Sequence, residues 1–320
     1  MGHELPHPID LAAVRRAAGR IAPHVHRTPV LTSHLVNQQA GCQLFFKCEN
    51  LQRSGAFKAR GAHNAVFSLP EKRRKRGVAT HSSGNHGAAL ALAASGAGIS
   101  AYVVMPDNAP TCKIEAVRAY GGEVRFCEPT LAAREAELDA LCHQTGATFV
   151  PPFDDPAVIA GQGSCVLELV EQLAEPVDSL LMPVGGGGLL AGSAVAAAAL
   201  WPDCAVIGAE PAGADDAARS FASGVRQSQL SPRTIADGLR TSLGALNFAL
   251  IQKHVTAILT VDDADTIAAM RLIWTRMKLL VEPSAAVPLA VVLTRRDLFA
   301  GQRVAIVLSG GNADIDALPW

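Results

Sequence analysis

The sequence lacks the cysteine spacing that would hold a structural metal. Seven cysteines are scattered over 320 residues, and no two of them have the CxxC spacing of a zinc knuckle. An odd, dispersed set is typical of reduced, buried thiols, so we expect a cytoplasmic protein. No internal repeat and no low-complexity linker interrupts the chain.

A strong charge of either sign is also lacking. The formal net charge is −1, which argues against a basic surface of the kind that binds nucleic acids or anionic membranes. The basic run at residues 72–76 is interpreted as a solvated loop. The longest apolar run, at residues 189–201, is too short to span a bilayer, and the first six residues do not resemble a secretory signal.

A repeated strand–turn–helix rhythm is present in a chain that is 49% apolar and 18% charged. Strand-like segments lie at residues 44–47, 77–80, 99–105, 123–126, 179–184, 205–209 and 304–308. Helix-like segments lie at residues 9–21, 61–69, 87–97, 113–120, 131–146 and 165–173. This order predicts an α/β fold with mostly parallel sheets and helices on both faces.

Two series of these units predict two lobes. We expect residues 1–67 and 156–320 to form a large cofactor-binding domain and residues 68–155 a small mobile domain. Ligands of such folds bind at the carboxyl ends of the strands, so the active site is predicted between the lobes.

Lys58 is the most informative residue. It lies in a turn of small residues, where Gly55, Ala56 and Ala59 leave room for a flat ring, and Phe57 is an apolar neighbour. A lysine in such a pocket loses proton affinity and can attack an aldehyde.

A run of four glycines follows another predicted strand and precedes a helix. Gly185, Gly186, Gly187 and Gly188 let the backbone approach a phosphate, and the helix N-terminus adds partial positive charge. A tight turn without a ligand is the alternative. A reactive lysine together with a phosphate-binding turn favours pyridoxal 5'-phosphate as the cofactor.

Two further turns carry polar groups. The run at residues 82–87 is either a helix cap or a loop whose amides hold a substrate carboxylate, with Asn85 bonding the cofactor's ring oxygen. Ser309, after the last predicted strand, would leave a bound ring nitrogen largely unprotonated. That weaker electron sink suits β-elimination better than transamination.

An acidic loop follows the strand at residues 205–209. Glu210, Asp215 and Asp216 could hold a hard divalent cation with backbone carbonyls and waters. The alternative is a set of solvated surface carboxylates.

These features together resemble the fold-type II pyridoxal-phosphate enzymes, within them the serine racemase and serine/threonine dehydratase family. The resemblance runs from about Thr28 to the C-terminus. Its motifs are FKCEN (46–50), FKARG (57–61), THSSGNHG (80–87), AGQG (160–163), GGGG (185–188), IADG (235–238), EPS (282–284) and SGGN (309–312).

The resemblance implies roles for these residues. Lys58 would bind the cofactor aldehyde and act as the base on one face of Cα, and Ser83 would be the acid/base on the other face. Phe57 would lie against the pyridine ring, Asn85 would bond its oxygen, the four glycines would bind phosphate and Ser309 would meet the ring nitrogen.

The same resemblance implies a Mg²⁺, Mn²⁺ or Ca²⁺ site and a homodimer. The cation would be bound by Glu210, Asp216 and the Ala214 carbonyl. Ala56 stands where the family usually has serine, which weakens a pure threonine-dehydratase assignment. Ala88 stands where some racemases have a nucleotide-binding glutamine, which puts nucleotide activation in doubt.

The predicted function is β-elimination of β-hydroxy L-amino acids such as serine and threonine to 2-oxo acid and ammonia, with serine racemase activity. The alternative is a 3-hydroxyaspartate dehydratase, in which Arg134 meets a second carboxylate beside His86 and Thr241, with Ser82 also in the substrate site. Arg134 could instead pair with Glu137 on the helix surface. A β-replacement enzyme of the cysteine synthase type and a binding protein without catalysis are further alternatives.

Overall fold

The computed structural model describes residues 9–320 apart from Ser83. In this part of the chain the strands are β1 (Val30–Leu31), β2 (Gln43–Lys47), β3 (Val78–Thr80), β4 (Ala101–Pro106), β5 (Glu123–Cys127), β6 (Thr148–Phe149), β7 (Ser179–Pro183), β8 (Ala205–Pro211), β9 (Ala257–Val261) and β10 (Arg303–Val307). The α-helices are α1 (Leu11–Ile21), α2 (His34–Ala40), α3 (Lys58–Ser68), α4 (Glu71–Arg74), α5 (Asn85–Gly96), α6 (Thr111–Ala119), α7 (Leu131–Thr145), α8 (Pro156–Gln172), α9 (Gly188–Leu200), α10 (Asp216–Ser223), α11 (Ala245–His254), α12 (Asp263–Leu272), α13 (Pro283–Thr294) and α14 (Arg296–Phe299). Short helical turns lie at Glu49–Leu51, Arg53–Gly55, Ala212–Ala214, Asp237–Leu239 and Ile273–Met277.

Two sheets organise the fold. The larger sheet has the strand order β1-β2-β10-β7-β8-β9, and the smaller one has the order β5-β4-β3-β6. Every pairing is parallel except that of β1 with β2. The predicted α/β fold with mostly parallel sheets is therefore confirmed.

The smaller sheet lies wholly within residues 68–155, the segment predicted to be the small domain. The larger sheet takes its strands from both sides of that segment. The mobility of the small domain stays a prediction.

The register of the larger sheet places the predicted site. Lys47 at the end of β2 pairs with Val307 at the end of β10, so the turns that follow these strands leave the same edge. Pro183 of β7 pairs with Ala209 of β8 at that edge. Carboxyl ends of parallel strands thus bring the Lys58 turn, the glycine run and Ser309 together.

Two helices begin three or more residues earlier than predicted. The helix predicted at 61–69 begins at Lys58, because Phe57 already has helical torsions (φ −52°, ψ −22°). The helix predicted at 165–173 begins at Pro156, where the Asp155 carboxylate accepts the amide protons of Ala157 and Val158.

The early turns of α8 were missed because small residues obscure the apolar period. Gly163 packs against α9, and a Cβ built on it would lie 2.5 Å from the Gly192 carbonyl oxygen. A Cβ on Gly192 would lie 2.1 Å from the Ile159 carbonyl oxygen. Glycine is therefore required at this contact by backbone-to-backbone approach.

The basic run at 72–76 is solvent-exposed for the most part, as predicted, although α4 makes part of it helical rather than a loop. Among the described residues, no helix combines the length and the apolar character needed to cross a bilayer.

Candidate active site

Lys58 opens α3 and extends its amine toward the segment between β6 and α8. The half-buried amine donates a 2.6 Å hydrogen bond to the Pro152 carbonyl oxygen. It also lies 5.1 Å from the Phe57 ring centroid and 5.9 Å from that of Phe153. Burial lowers the pKa of Lys58 to about 8, against the opposing effect of the Glu282 carboxylate. A larger neutral fraction of this amine is then present near neutral pH than for an ordinary lysine.

The four glycines form the turn between β7 and α9, and all of them are buried. Within the described chain, the N–H groups of Gly185, Gly186, Gly187 and Gly188 have no hydrogen-bond acceptor. Buried backbone donors are normally paired, and a helix begins at this turn. The donor set therefore fits a phosphate group.

The ring of Phe153 connects the glycine turn with Lys58. A Cβ built on Gly186 would lie 2.3 Å from ring atoms of Phe153, whose ring is also beside the lysine amine. A lysine amine of lowered pKa and a turn of unpaired amides thus lie beside one aromatic ring, and this pair of features fits pyridoxal phosphate.

Asn85 is fixed by side chains from distant parts of the chain. Its amide nitrogen donates to both carboxylate oxygens of Glu282, at 2.8 and 3.1 Å. Its amide oxygen accepts a 2.9 Å hydrogen bond from Asn312, which also donates to the Ser54 carbonyl oxygen. Asn85 is therefore held in one orientation at the start of α5.

Glu282 is a buried carboxylate in this cluster. Burial, assisted by the charge of Asp237, raises its pKa to about 7, while the hydrogen bond from Asn85 and the charge of Lys113 act in the other direction. The EPS run at 282–284 was noted in the sequence, but no role was predicted for Glu282.

Ser309 lies directly after β10 and is buried. Its carbonyl oxygen accepts a 3.0 Å hydrogen bond from the Phe57 backbone amide, and Ala56 forms a β-bridge with Gly310. The predicted ring-stacking residue and the predicted ring-nitrogen partner are therefore coupled through the backbone.

His86 lies near Lys58 and is neutral. Its Nε2 is 3.1 Å from the Val150 carbonyl oxygen, and its Nδ1 has no partner among the described residues. Burial lowers its pKa to about 3, and the Lys58 charge contributes in the same direction. A neutral imidazole can orient a substrate but cannot supply a fixed positive charge.

The remaining predicted substrate residues are only partly assembled. Ser82 is half-buried and its hydroxyl accepts the Gly84 amide proton at 3.5 Å. Thr241 is exposed in the segment before α11. Ser83, the predicted second acid/base, lies outside the described residues.

Arg134 lies on α7, within the segment 68–155. Its Nε donates to the Thr130 carbonyl oxygen at 3.4 Å, and its charge lowers the pKa of His81, for which burial is the larger cause. No ion pair with Glu137 is present in the described part of the chain. The predicted meeting of Arg134 with a substrate carboxylate stays a prediction.

The predicted cation ligands lie at the end of β8. Both Glu210 oxygens accept amide protons, from Ala217 and Ala218, and Asp216 Oδ2 accepts the Leu243 amide proton. Asp216 Oδ1 is buried and unpaired. Over the described residues, no group of three or more His, Cys, Asp or Glu side chains could hold a metal.

The two carboxylates resist ionisation. Burial is the largest cause that raises the pKa of Glu210, to about 8, and it also raises the pKa of Asp216. Two buried carboxylates with one unpaired oxygen fit a cation if Ala214 supplies a carbonyl. The predicted alternative of solvated surface acids is wrong for Glu210 and Asp216, since both are buried.

Several residues that contact the site had no role predicted from the sequence. Glu282 and Asn312 lie within quoted motifs, whereas Phe153, Asp154 and Asn247 lie outside them. Asp154 and Asn247 follow no motif, so only the folded chain brings them to the glycine turn.

The chain is similar to known proteins over nearly its whole length. The family model described as "Pyridoxal-phosphate dependent enzyme" matches residues 21–310. A β-hydroxyaspartate dehydratase of Paracoccus denitrificans (strain Pd 1222) is 48% identical over 301 residues, which cover 94% of this chain and 95% of that protein. A serine racemase of Dictyostelium discoideum is 45% identical over 314 residues, which cover 97% of each chain.

A solved structure is similar over the same extent. The crystal structure of a threonine deaminase from T.th. has a TM-score of 0.92 and 45% sequence identity, covering 96% of this chain and 99% of that one. The predicted resemblance to fold-type II enzymes is thereby confirmed. The chain belongs to the family of pyridoxal-phosphate-dependent enzymes.

Proposed function

We propose that this enzyme eliminates water and ammonia from β-hydroxy L-amino acids such as serine and threonine, giving 2-oxo acids, and that it also racemises serine. One observation carries the proposal: the Lys58 amine, with its lowered pKa, faces the region reached by a turn of four unpaired, buried amides. The similar serine racemase and threonine deaminase support this choice of substrate.

The cofactor, when bound, would supply an aldehyde for the substrate amine and a conjugated ring that withdraws electrons from Cα. Lys58 Nζ would take the Cα proton, which a neutral amine can do at neutral pH. The glycine turn would hold the phosphate, Asn85 the ring oxygen and Phe57 one face of the ring. The Ser309 hydroxyl would donate one hydrogen bond to the unprotonated ring nitrogen. Ser83 would move a proton on the opposite face of Cα.

A second candidate is the dehydration of 3-hydroxyaspartate. The dehydratase of Paracoccus denitrificans, at 48% identity, supports it. Arg134 would then bind the second carboxylate, with neutral His86 and Thr241 beside it and Ser82 in the same substrate site. This requires the Arg134 side chain to turn from Thr130 toward the cleft.

A parallel substrate assay tests the proposal. The cofactor-loaded enzyme with Mg²⁺ is incubated separately with L-serine, L-threonine and L-threo-3-hydroxyaspartate, and 2-oxo acid, ammonia and D-amino acid are quantified. We expect 2-oxo acid from serine and threonine and D-serine from serine, all lost in Lys58→Ala. Ser83→Ala should remove D-serine.

The other outcomes discriminate between the alternatives. Turnover of hydroxyaspartate alone would replace the first candidate by the second, with Arg134→Ala expected to lower kcat/KM by at least tenfold. Cysteine formation from O-acetylserine and sulfide, without 2-oxo acid from any hydroxy amino acid, would identify a β-replacement enzyme. Cofactor binding with no turnover at all would indicate a binding protein.

We also propose a divalent cation (Mg²⁺, Mn²⁺ or Ca²⁺) bound by Glu210, Asp216 and the Ala214 carbonyl. The unpaired, buried Asp216 Oδ1 supports it. Each cation should raise the melting temperature of the wild-type protein but not of Asp216→Asn. The neighbouring change Asp215→Asn is the matched control and should retain the response. An equal response in both variants would overturn the site.

A cytoplasmic homodimer is proposed as well. Seven free thiols support a reducing compartment, and the resemblance to the racemases supports the dimer. Sedimentation of the purified protein at micromolar concentration measures its mass, and a monomer would exclude the dimer.

A further inference from the structure

Asn247 has no role in the reaction described so far, yet it is fully buried behind the glycine turn. It lies in the first turn of α11. Its Nδ2 donates a 2.7 Å hydrogen bond to the Gly186 carbonyl oxygen and a 3.2 Å hydrogen bond to that of Phe153. The Gly244 backbone amide donates to the same Gly186 oxygen at 3.1 Å.

These two donors fix the direction of one peptide group. In a planar trans peptide, the carbonyl of one residue and the N–H of the next point in opposite directions. Because the Gly186 oxygen points toward α11, the Gly187 N–H points away from α11. Gly187 has a φ of +92°, and a Cβ built on it would lie 2.9 Å from the Asn247 Cβ, so the turn lies directly on this side chain.

The start of α11 is itself anchored to the segment that approaches Lys58. The Asp154 carboxylate accepts the amide protons of Ala245 (2.9 Å), Leu246 (3.0 Å) and Asn247 (3.2 Å). Asp154 therefore caps the helix from outside, while Asn247 binds the neighbouring Phe153 carbonyl in return. One short helix thus holds both the glycine turn and the segment that carries the lysine's acceptor, Pro152.

We propose that Asn247 is a positioning residue that orients the amides of the glycine turn for the cofactor phosphate. This rests on the proposed role of that turn. Without the amide donor, only the Gly244 amide holds the Gly186 oxygen, so the peptide between Gly186 and Gly187 is less firmly oriented. The cofactor would then lose affinity through its phosphate. Its aldehyde would still reach Lys58, because the Asp154 carboxylate keeps the start of α11 bound to the segment that carries Pro152.

Binding of ligands with and without a phosphate separates the contribution of the phosphate from that of the aldehyde. Dissociation constants for pyridoxal 5'-phosphate and for pyridoxal, which lacks the phosphate, are measured by absorbance titration of the metal-replete apoenzyme. Asn247→Leu keeps the size of the side chain and removes the donor. We expect it to weaken pyridoxal phosphate about tenfold, the worth of about one hydrogen bond, and to change pyridoxal less than twofold.

Gln252→Leu is the matched control. Gln252 is an exposed amide on the same helix, and its Nε2 donates to the Phe221 carbonyl oxygen at 3.0 Å. It should leave both dissociation constants unchanged. If Asn247→Leu fails to fold, as judged by its melting temperature, Asn247→Ala is measured in the same way.

Three results have distinct meanings. Unchanged constants in a folded Asn247 variant, or equal weakening of both ligands, would overturn the positioning role. A wild-type enzyme that binds pyridoxal as tightly as its phosphate would instead refute the phosphate role of the glycine turn. A selective loss of pyridoxal phosphate affinity supports both.

Discussion

A single buried carboxylate, Glu282, sets the orientation of Asn85 and also makes the stability of the protein depend on pH. It lies at the start of α13 with 5% of its surface exposed, and Asn85 bridges both of its oxygens. Burying a charge with only a neutral amide as partner is costly, so protonation favours the folded state. Its free-energy contribution should therefore vary with pH in a direction opposite to that of a paired carboxylate.

Glu282→Gln should remove a pH dependence of stability. The native pKa of about 7 is above the ordinary value of 4.5, so the folded state binds the extra proton between these limits. Glu282 thus lowers the free energy of unfolding as pH rises from 4.5 to 7, by at most about 3 kcal/mol. Urea denaturation of the apo protein at pH 5 and pH 8 should show this loss in the wild type and a smaller one in the variant. Glu171→Gln, at an exposed site, should behave like the wild type.

Arg60, in contrast to Glu282, is a buried charge that is paired with groups of opposite charge. The buried guanidinium pairs at 2.7 Å with Glu49 and at 2.7 Å with Glu168. Burial alone would raise the pKa of Glu49, but the Arg60 charge lowers it below its ordinary value. The three side chains connect the segment after β2 with α3 and α8.

Arg60→Leu should lower the free energy of unfolding by about 3–5 kcal/mol, because Glu49 would stay buried without its cation. The loss should shrink as the pH falls from 7 to 5, because burial without the Arg60 charge would raise the pKa of Glu49 and let it take a proton in the variant. Denaturant titration at pH 7 and pH 5 measures both values. Equal losses at the two pH values would contradict the ionic explanation.

At the scale of elements, the contact of α8 with α9 depends on glycine. Gly192→Ala would place its methyl group 2.1 Å from the Ile159 carbonyl oxygen, so the helices must separate. We expect thermal unfolding to show a destabilisation of about 1–3 kcal/mol. Because α9 begins in the glycine turn, cofactor affinity should fall as well.

Gly19→Ala is the control for Gly192→Ala, because it adds the same methyl group to a helix at a position with free space around it. Gly19 lies within α1, and a Cβ built on it meets no atom within 4 Å. Alanine there should raise the free energy of unfolding by about 0.5–1 kcal/mol, because it restricts the unfolded chain and favours helix. A loss of stability in Gly19→Ala would show that helix propensity is not the deciding factor.

The positions of most strands could be predicted from the sequence, although β1, β6 and β9 were not predicted. The buried strands β2, β7 and β10 are short apolar runs with turn residues at their ends, and a parallel sheet needs that pattern. The start of α8 was missed because its glycines serve packing against α9 and dilute the apolar period that marks a helix. Its cap, Asp155 before Pro156, was the local signal that could have located it.

Across the whole molecule, the part of the candidate site that could be predicted from the sequence lies at strand ends. Lys58, the four glycines and Ser309 belong to local motifs, and the parallel sheet brings them together. Glu282 and Asn247 were missed because their importance comes from contacts with residues far away in the chain, which no local pattern encodes. Arg134 shows the converse, since the sequence gives the residue type but not the direction of a long side chain.

An exposed ion pair between the two predicted domains should contribute little to stability. Lys113 of α6 pairs with Asp237, and the two side chains are 28% and 38% exposed. Lys113→Ala should change the free energy of unfolding by less than about 1 kcal/mol, in contrast to Arg60→Leu. The comparison is made at low and at high salt, where the wild-type advantage should vanish. A loss as large as that of Arg60→Leu would mean that the lobes are joined mainly by this pair.

The position of β10 has a consequence for how the protein is made. This strand leaves the ribosome after β1 to β9, yet it inserts between β2 and β7 in the middle of the larger sheet. Until it arrives, those two strands have no common neighbour, and the nascent chain exposes two unpaired edges that could associate with other chains. Ser309, directly after β10, completes the proposed cofactor site at the same moment. Cofactor binding would therefore come late in folding, after β10 has been synthesised and has paired with β2 and β7.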